Sequence, residues 1–114
     1  GNQKRDIVRV EDVVNCISTL IKKGISRGYT KLSFGSGEQL SVKSIVEYMK
    51  IITGSYSEIK FGTVKFRKEE PNTIADLSWC NKYGIKPKYS ILEGIRDYCT
   101  SNIIENFTFS HKRK

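Results

Sequence analysis

A chain of 114 residues with 38% hydrophobic and 28% charged side chains can bury one core, and it is too short for several domains. No apolar run reaches the ~20 residues that a membrane span needs, and the first residues hold no apolar signal region, so we expect a cytoplasmic protein without a membrane partner. The three cysteines are too few and too far apart for a disulfide framework or a zinc site.

The formal net charge of +8 favours an anionic ligand. Its lysines are scattered along the chain, and the one dense basic run is at residues 112–114, where solvated chain ends are common. The sequence holds neither zinc-finger spacing nor an aromatic RNA-recognition motif. We therefore expect an anionic small molecule rather than nucleic acid.

The first predicted elements are a short strand that leads into a helix. Residues 7–10 form a β-branched run that predicts the strand. Glu11 or Asp12 is expected to begin the helix, and we interpret Asp12 as its cap, since a carboxylate suits the free amides and the helix dipole. Two lysines and a glycine at residues 22–24 predict its end. Apolar residues repeat on one side of it at spacings of three and four: Val13, Val14, Ile17, Leu20 and Ile21. Cys16 lies in the same pattern and is interpreted as a small buried side chain.

Two further strands and a second helix are predicted in the middle of the chain. Residues 31–34 and 58–61 are the strands, each followed by a glycine. Ser41 is expected to cap the helix, and Gly54 to end it. The apolar stripe of this helix consists of Val42, Ile45, Val46, Met49 and Ile52.

The last third of the chain begins with a loop at residues 63–72 and an extended segment at 73–76. Ser78 is expected to cap a short helix that ends at Gly84, with Asp76 as a turn residue and Trp79 as a packing residue. Ser90 and Glu93 form a capping box. The final helix is predicted to face inward with Ile91, Ile95, Tyr98 and Cys99. Its signal fades from Ile103, which divides the chain into a domain of residues 1–105 and a flexible basic tail of residues 106–114.

Short strands that alternate with helices favour an α/β or α+β domain. Three such strands standing alone would expose sheet edges and apolar faces. We therefore interpret the chain as part of a larger architecture.

Five motifs follow one another along the chain. Residues 5–13 read Arg-Asp-Ile-Val-Arg-Val-Glu-Asp-Val, and residues 32–37 read Leu-Ser-Phe-Gly-Ser-Gly. Ser-Val at residues 41–42 opens a helix, residues 67–78 hold Arg-x-x-Glu-Pro and Ala-Asp-Leu-Ser, and residues 84–95 read Gly-Ile-Lys-Pro-Lys-Tyr-Ser-Ile-Leu-Glu-Gly-Ile. In this order they resemble the C-terminal, substrate-binding region of extended short-chain dehydrogenase/reductases. These enzymes are the NAD(P)-dependent nucleotide-sugar epimerases, dehydratases and reductases.

The resemblance implies a Rossmann-type enzyme whose N-terminal cofactor domain is absent from this chain. The full-length family uses NAD or NADP, bound at a Gly-x-x-Gly-x-x-Gly turn that the sequence lacks. Its catalysis resembles a Tyr-x-x-x-Lys arrangement, which we expect the chain to lack as well. We therefore assign no catalytic, cofactor-binding or metal residue. We expect the chain to bind no cofactor and to be inactive by itself, which leaves open whether it is to be called an enzyme.

Carried over by position, Arg5 and Arg67 resemble the two arginines that hold the diphosphate of the nucleotide sugar, and Arg9 is a third candidate. Guanidinium groups bind phosphate oxygens bidentately and stay charged. The alternative is that these are surface arginines paired with neighbouring acids. Four departures from the family pattern, at Ile7, Arg9, Glu69 and Ile85, leave the sugar and the geometry of the second arginine loop open.

Two other functions compete with nucleotide-sugar binding. The charge also suits a non-catalytic module for nucleic acid or another polyanion. An interaction domain is the second alternative, in which an apolar face normally covered by the cofactor domain drives formation of a homodimer. Epimerases, dehydratases and reductases are not distinguished by this region.

Overall fold

The computed structural model describes residues 1–25, 28–65 and 71–111, with side chains as far as Ser101. Helices dominate this part of the chain. In chain order the elements are β1 (Lys4–Arg5), α1 (Val10–Lys23), β2 (Leu40–Ser41), α2 (Val42–Thr53), α3 (Cys80–Tyr83) and α4 (Ile91–His111).

The two strands form one antiparallel pair, with Lys4 opposite Ser41 and Arg5 opposite Leu40. The paired residues 4 and 5 lie before the strand predicted at residues 7–10. Residues 6–9 are irregular, and α1 begins at Val10. The prediction for residues 7–10 is therefore wrong. A β-branched run favours extended backbone, but a strand also needs a neighbour to pair with.

The predicted strands at 31–34 and 58–61 are also wrong, because neither segment lies in a ladder among the described residues. In the first, the carbonyl of Ser33 accepts a hydrogen bond from the Trp79 indole at 2.6 Å. The Ser33 carbonyl thus accepts from a side chain, whereas in a sheet it would accept from the amide of a neighbouring strand. The contact also supports the interpretation of Trp79 as a packing residue.

Helix α1 ends where the sequence predicts, at Lys23 followed by Gly24 with φ 72°. Its orientation differs from the prediction. The buried side chains are Asp12 and Cys16, which are 2% and 4% exposed. Three members of the predicted inward stripe, Val14, Ile17 and Ile21, are exposed instead. The burial of Cys16 is confirmed, and it raises the pKa of the thiol.

The larger core lies between α2 and α4. Ile45 from α2 packs against three α4 residues at intervals of four: Ile91, Ile95 and Cys99. Four partly buried residues pack against this cluster: Leu40, Tyr48, Met49 and Ile52. Ile91 is 1% exposed. Tyr98, which was predicted to face inward, is 66% exposed, because the buried face of α4 follows the spacing of four and passes beside it.

A second, smaller core joins α1 to α3. It consists of Cys16, Cys80 and Ile85, with Trp79 and Tyr83 against it. Helix α3 starts one residue later than predicted, since its N-cap is Trp79 and not Ser78. The carboxylate of Asp76 accepts from the amide of Ser78 at 2.9 Å, which confirms Asp76 as a turn residue. Gly84 ends α3 with φ 65°.

Helix α4 begins with the predicted capping box. Ser90 Oγ accepts from the Glu93 amide at 3.3 Å, and the Glu93 carboxylate accepts from the Ser90 amide at 2.9 Å. A second acid contributes, because Glu38 accepts from the Ile91 amide at 3.2 Å. The helix runs to His111, so residues 106–111 are helical where an irregular tail was predicted. The division into a domain and a flexible tail stays a prediction. Among the residues described, no helix combines the length and the apolar character that a bilayer crossing requires.

The N-cap of α2 provides a local test of the fold. Ser41 Oγ accepts from the Ser44 amide at 3.0 Å. Replacing Ser41 by Ala removes this acceptor and is expected to lower the free energy of unfolding by about 1 kcal/mol. Urea denaturation followed by circular dichroism measures the change. Ser57→Ala, in exposed irregular chain, is the control, and an equal loss in both variants would contradict the capping role.

Candidate functional site

The segment around Arg5 is joined to the end of the loop predicted at residues 63–72 and to the residue that follows it. The Lys4 amide donates to Asn72 Oδ1 at 2.8 Å, and the Thr73 amide donates to the Lys4 carbonyl at 3.4 Å. Arg5 Nη1 donates to the Pro71 carbonyl at 3.1 Å and to the Lys4 carbonyl at 3.0 Å. Residues 71–73 therefore lie directly beside β1. We call this meeting of segments the Arg5 junction.

Asp6 fixes the Arg5 junction from the other side. One carboxylate oxygen accepts from the amide and the hydroxyl of Ser36, at 2.7 and 2.6 Å. The other accepts from the amides of Gly37 and Ala75, at 3.1 and 3.0 Å. Partial burial acts to raise the pKa of the Asp6 carboxyl, but these four hydrogen bonds together lower it below its ordinary value. Asp6 thus ties residues 35–37 and residue 75 to the arginine.

Close approach explains the glycine at position 35. A Cβ at Gly35 would lie 2.6 Å from the nearer oxygen of Asp6 and 2.8 Å from the Cβ of Ala75. Any side chain at this position would push the turn away from the carboxylate. Gly37 has φ 76°, a conformation that glycine adopts readily. The glycines of this motif therefore serve the contact with Asp6.

The same contact decides whether this turn fits a dinucleotide cofactor. A pyrophosphate cradle needs backbone amides that point at the phosphates. Here the amides of Ser36 and Gly37 both donate to Asp6. The Gly-Ser-Gly turn does not fit NAD or NADP, and we derive no catalytic step from a cofactor on it.

The expectation that the chain lacks the spacing Tyr-x-x-x-Lys requires a correction, since Tyr56 and Lys60 have it. Two residues four apart meet on a helix surface, but in extended chain they lie ~13 Å apart. Residues 55–60 follow α2 and are not helical. Tyr56 is fully exposed, and Lys60 Nζ lies 3.4 Å from Glu58. The spacing therefore does not form a catalytic pair here.

Arg9 is held by two acids. Its Nε and Nη2 donate to Glu11 at 2.8 and 3.0 Å, and its Nη1 donates to Asp97 at 2.5 Å. The guanidinium carbon lies 4.2 Å from the centre of the Tyr89 ring. The hydrogen bond from Arg9 lowers the pKa of Glu11. This geometry joins the start of α1 to α4 and does not favour the anion contact predicted for Arg9.

Arg67 lies outside the described residues, so the pairing of Arg5 with Arg67 stays a prediction. The described chain resumes at Pro71, which contacts Arg5 directly. The structure thus brings Arg5 together with the end of the loop in which Arg67 lies in the sequence.

Asp12 does not have the capping role predicted for it. The N-cap of α1 is Arg9, and no side chain accepts a hydrogen bond there. Asp12 is instead buried and accepts from the amides of Lys88 and Tyr89, at 3.0 and 3.1 Å. It therefore anchors the loop between α3 and α4 to α1.

Sequence reasoning missed Asp6 and Asn72 as residues that organise the site. Both bind backbone at the Arg5 junction, across 30 to 69 residues of chain. Asp6 stands beside Arg5 in the first motif, and Asn72 is the last residue of the loop predicted at residues 63–72. Their position beside the arginines is a signal, but it does not name the contacts.

A groove of about 540 Å³ opens just beyond the Arg5 junction. It runs between residues 7–11, α2 and α4, and Arg9, Glu11 and Asp97 line part of it. The rest is mainly apolar: Ile7, Val10, Ile45, Met49, Ile95 and Tyr98. Such a lining suits an apolar partner better than a diphosphate.

No family model matches the sequence. Among curated proteins, the chain is 30% identical over 97 residues to the CDP-abequose synthase of Salmonella muenchen, across 84% of this chain and 33% of that protein. The match to the CDP-abequose synthase of Salmonella typhimurium is 30% over 102 residues, across 85% and 34% of the two chains. An uncharacterized protein of Methanocaldococcus jannaschii, MJ1055, is 30% identical over 100 residues, across 87% and 30%. The chain thus spans about one third of the length of the curated relatives that it matches.

A solved structure shares the fold. It is a GDP-mannoheptose C4 reductase from Campylobacter jejuni with NADP bound. The TM-score is 0.64 at 23% identity, across 84% of this chain and 30% of that chain. The predicted fold class is confirmed by this likeness, although the strands predicted inside it are not. These likenesses support the resemblance to the C-terminal region of extended short-chain dehydrogenase/reductases, and the chain corresponds to about one third of the length of such a protein.

Proposed function

We propose that this chain is the substrate-binding part of an NAD(P)-dependent enzyme that modifies nucleotide sugars. In this proposal Arg5 and Arg67 hold the diphosphate from two sides. The names CDP-abequose synthase and GDP-mannoheptose C4 reductase point to sugars linked to CDP and GDP, and those two classes are the first ligands to test.

One observation carries the proposal. Arg5 donates a hydrogen bond to the Pro71 carbonyl at 3.1 Å, and Pro71 is four residues beyond Arg67 in the sequence. Four residues span at most ~14 Å of chain. A tether this short supports a shared ligand for the two guanidinium groups, because a diphosphate offers acceptor oxygens on both sides.

The chemistry of this chain in that role is binding and orientation. Two guanidinium groups neutralise the diphosphate without changing protonation, and the junction behind Arg5 fixes the direction of its side chain. Holding the sugar nucleotide at one end restricts where its sugar can lie. The hydride chemistry belongs to NAD or NADP and to residues outside this chain.

Titration of the chain with nucleotide sugars tests the proposal. Backbone amide shifts in NMR are followed with CDP-glucose, GDP-mannose and inorganic pyrophosphate, and with cytidine as the ligand that lacks phosphate. We expect weak binding of the three phosphate ligands, centred on residues 4–6 and 71–75, and none of cytidine. Arg5→Ala and Arg67→Ala should each weaken binding by ~10-fold, as expected for the loss of a charge-assisted hydrogen bond.

Arg96→Ala is the matched control. Arg96 is a largely exposed arginine on α4 whose Nε lies 3.8 Å from Asp97. Its removal takes away the same charge and should leave the affinity unchanged. If all three variants lose affinity equally, and the loss follows salt concentration, a general polyanion site replaces the proposed one.

A further inference from the structure

One side chain connects the Gly-Ser-Gly turn to the start of α4. The Glu38 carboxylate accepts from the Ile91 amide at 3.2 Å, across 53 residues of chain and at a partly buried place. The amide of Glu38 itself donates to Ser36 Oγ at 3.1 Å. Glu38 therefore makes contacts in two directions, one with the helix and one with the turn.

The contact with the turn leads directly to the Arg5 junction. Ser36 Oγ, which accepts from the Glu38 amide, donates to Asp6 at 2.6 Å. Because this hydroxyl donates and accepts at once, its two hydrogen bonds strengthen each other. Asp6 is the neighbour of Arg5 in the chain. We call this series of hydrogen bonds the Glu38 link: it joins Ile91 to Glu38, Glu38 to Ser36 and Ser36 to Asp6.

Side-chain packing leaves space open beside the Glu38 link. A cleft of about 700 Å³ lies along this surface, and Ser36 and Glu38 line it from the turn. Ser90 and Glu93 line it from the start of α4. Atoms that face an open space have no packing partner across it. The position of the turn relative to α4 therefore depends in large part on the hydrogen bond that Glu38 makes.

Glu93 provides a comparison at the same end of α4. It is also an exposed glutamate, and it accepts from the amide and the hydroxyl of Ser90, both at 2.9 Å. These two contacts stay within the capping box. Both glutamates thus stabilise the start of α4, and among the described residues Glu38 is the one of the two that is also bonded to the turn.

We propose that Glu38 is a positioning residue of the diphosphate site. Its role is indirect: it holds the Gly-Ser-Gly turn against α4, and the turn holds Asp6 and with it the segment that carries Arg5. The inference rests on the proposed function, because it names what places the Arg5 guanidinium for the diphosphate. A donor that is held in place before the anion binds loses less entropy on binding.

Titration of the full 114-residue chain with inorganic pyrophosphate, followed by NMR at residues 4–6, tests the proposal. Glu38→Ala should weaken pyrophosphate binding by ~5-fold, at the lower end of the usual coupling between two sites. Glu38→Gln keeps an oxygen as the acceptor and should restore most of the affinity. Glu93→Ala is the matched control, since it should lower the stability of α4 as Glu38→Ala does and leave the affinity unchanged.

Hydrogen exchange supplies a readout that a loss of stability would not produce. If α4 affects diphosphate binding, then diphosphate binding affects the start of α4 by the same coupling free energy. Pyrophosphate should therefore slow exchange of the Ile91 amide by ~5-fold and leave the Ser90 amide, which is held by Glu93, unchanged. Ser36→Ala interrupts the link but keeps the contact between Glu38 and Ile91, so the effect of pyrophosphate on Ile91 should disappear.

Two results would overturn the proposal. In one, Glu38→Ala, shown to be folded by circular dichroism, loses no more affinity for pyrophosphate than Glu93→Ala does. In the other, pyrophosphate binds at residues 4–6 of the original chain and leaves the exchange of the Ile91 amide unchanged. A failure of the proposed function is a different result, because the original chain would then not bind pyrophosphate at these residues, and both proposals would fall.

Discussion

Replacing Asp6 by Ala is expected to lower the free energy of unfolding by about 3 kcal/mol, because three backbone amides and one hydroxyl lose a charged acceptor at once. The melting temperature should fall by more than ~10 °C. The same change should abolish pyrophosphate binding, since residues 35–37 and 75 would no longer be tied to the segment that carries Arg5. Thermal unfolding and NMR titration measure the two effects.

The pH dependence of stability gives Asp6 a separate signature. Its pKa in the folded chain is lowered, so its contribution to stability is present above the ordinary carboxyl pKa of about 3.9 and is lost as the pH falls through the folded value. Asp6→Asn carries no titratable group. The difference in unfolding free energy between the original chain and Asp6→Asn should therefore be large at pH 7 and shrink below pH ~4.

Asp76 supplies the control for this experiment. It also accepts from a backbone amide, and the hydrogen bonds from Ser78 lower its pKa, but it serves one local turn. Asp76→Asn should lower the stability much less than Asp6→Asn does, and it should leave pyrophosphate binding unchanged. A difference for Asp6→Asn that stays constant from pH 7 to pH 3 would contradict the role of the ionised carboxylate.

Local signals in the sequence predicted the ends of the helices. Ser41, Gly54 and the pair Ser90 and Glu93 act on amides or backbone angles within four residues of themselves. Such interactions depend little on the rest of the chain. This is why the boundaries of α2 and the start of α4 follow from the residue types alone.

The strands were not predictable in the same way. Residues 31–34 and 58–61 have the composition of strands, yet a ladder needs a partner that no local pattern supplies. The apolar residues of α1 show a related limit. Periodicity identified its apolar side chains, but Val14 and Ile17 face outward because the covered side of the helix is the one that carries Asp12 and Cys16.

The residues of the candidate site show the same difference between local and long-range information. The family resemblance pointed to Arg5, Arg67 and Arg9 through their positions in motifs. The structure shows Arg5 beside Pro71 and Arg9 bound to Glu11 and Asp97, and the diphosphate contacts of Arg5 and Arg67 stay predictions. Which acid an arginine meets depends on where α4 packs, and that information is not local to residue 9.

The second large effect is expected at Asp12. This carboxylate is 2% exposed and accepts from the amides of Lys88 and Tyr89. Asp12→Ala leaves two amides without their acceptor at a partly buried place, and each unsatisfied amide costs ~1–3 kcal/mol. We expect a loss of about 3 kcal/mol in the free energy of unfolding, measured by urea denaturation.

Comparison with Asp12→Asn separates the anchor from the charge. Asn keeps one oxygen as an acceptor, so about half of the loss should return, and hydrogen exchange at the Lys88 and Tyr89 amides should be fastest in the Ala variant. Glu11→Ala is the control on the same helical turn, because the Glu11 carboxylate is exposed and forms an ion pair with Arg9. The loop between α3 and α4 also carries Tyr89, which lies under the Arg9 guanidinium. If Asp12→Ala and Glu11→Ala were equally stable, Asp12 would be an ordinary acid at the start of a helix, and the packing of α1 against this loop would need another cause.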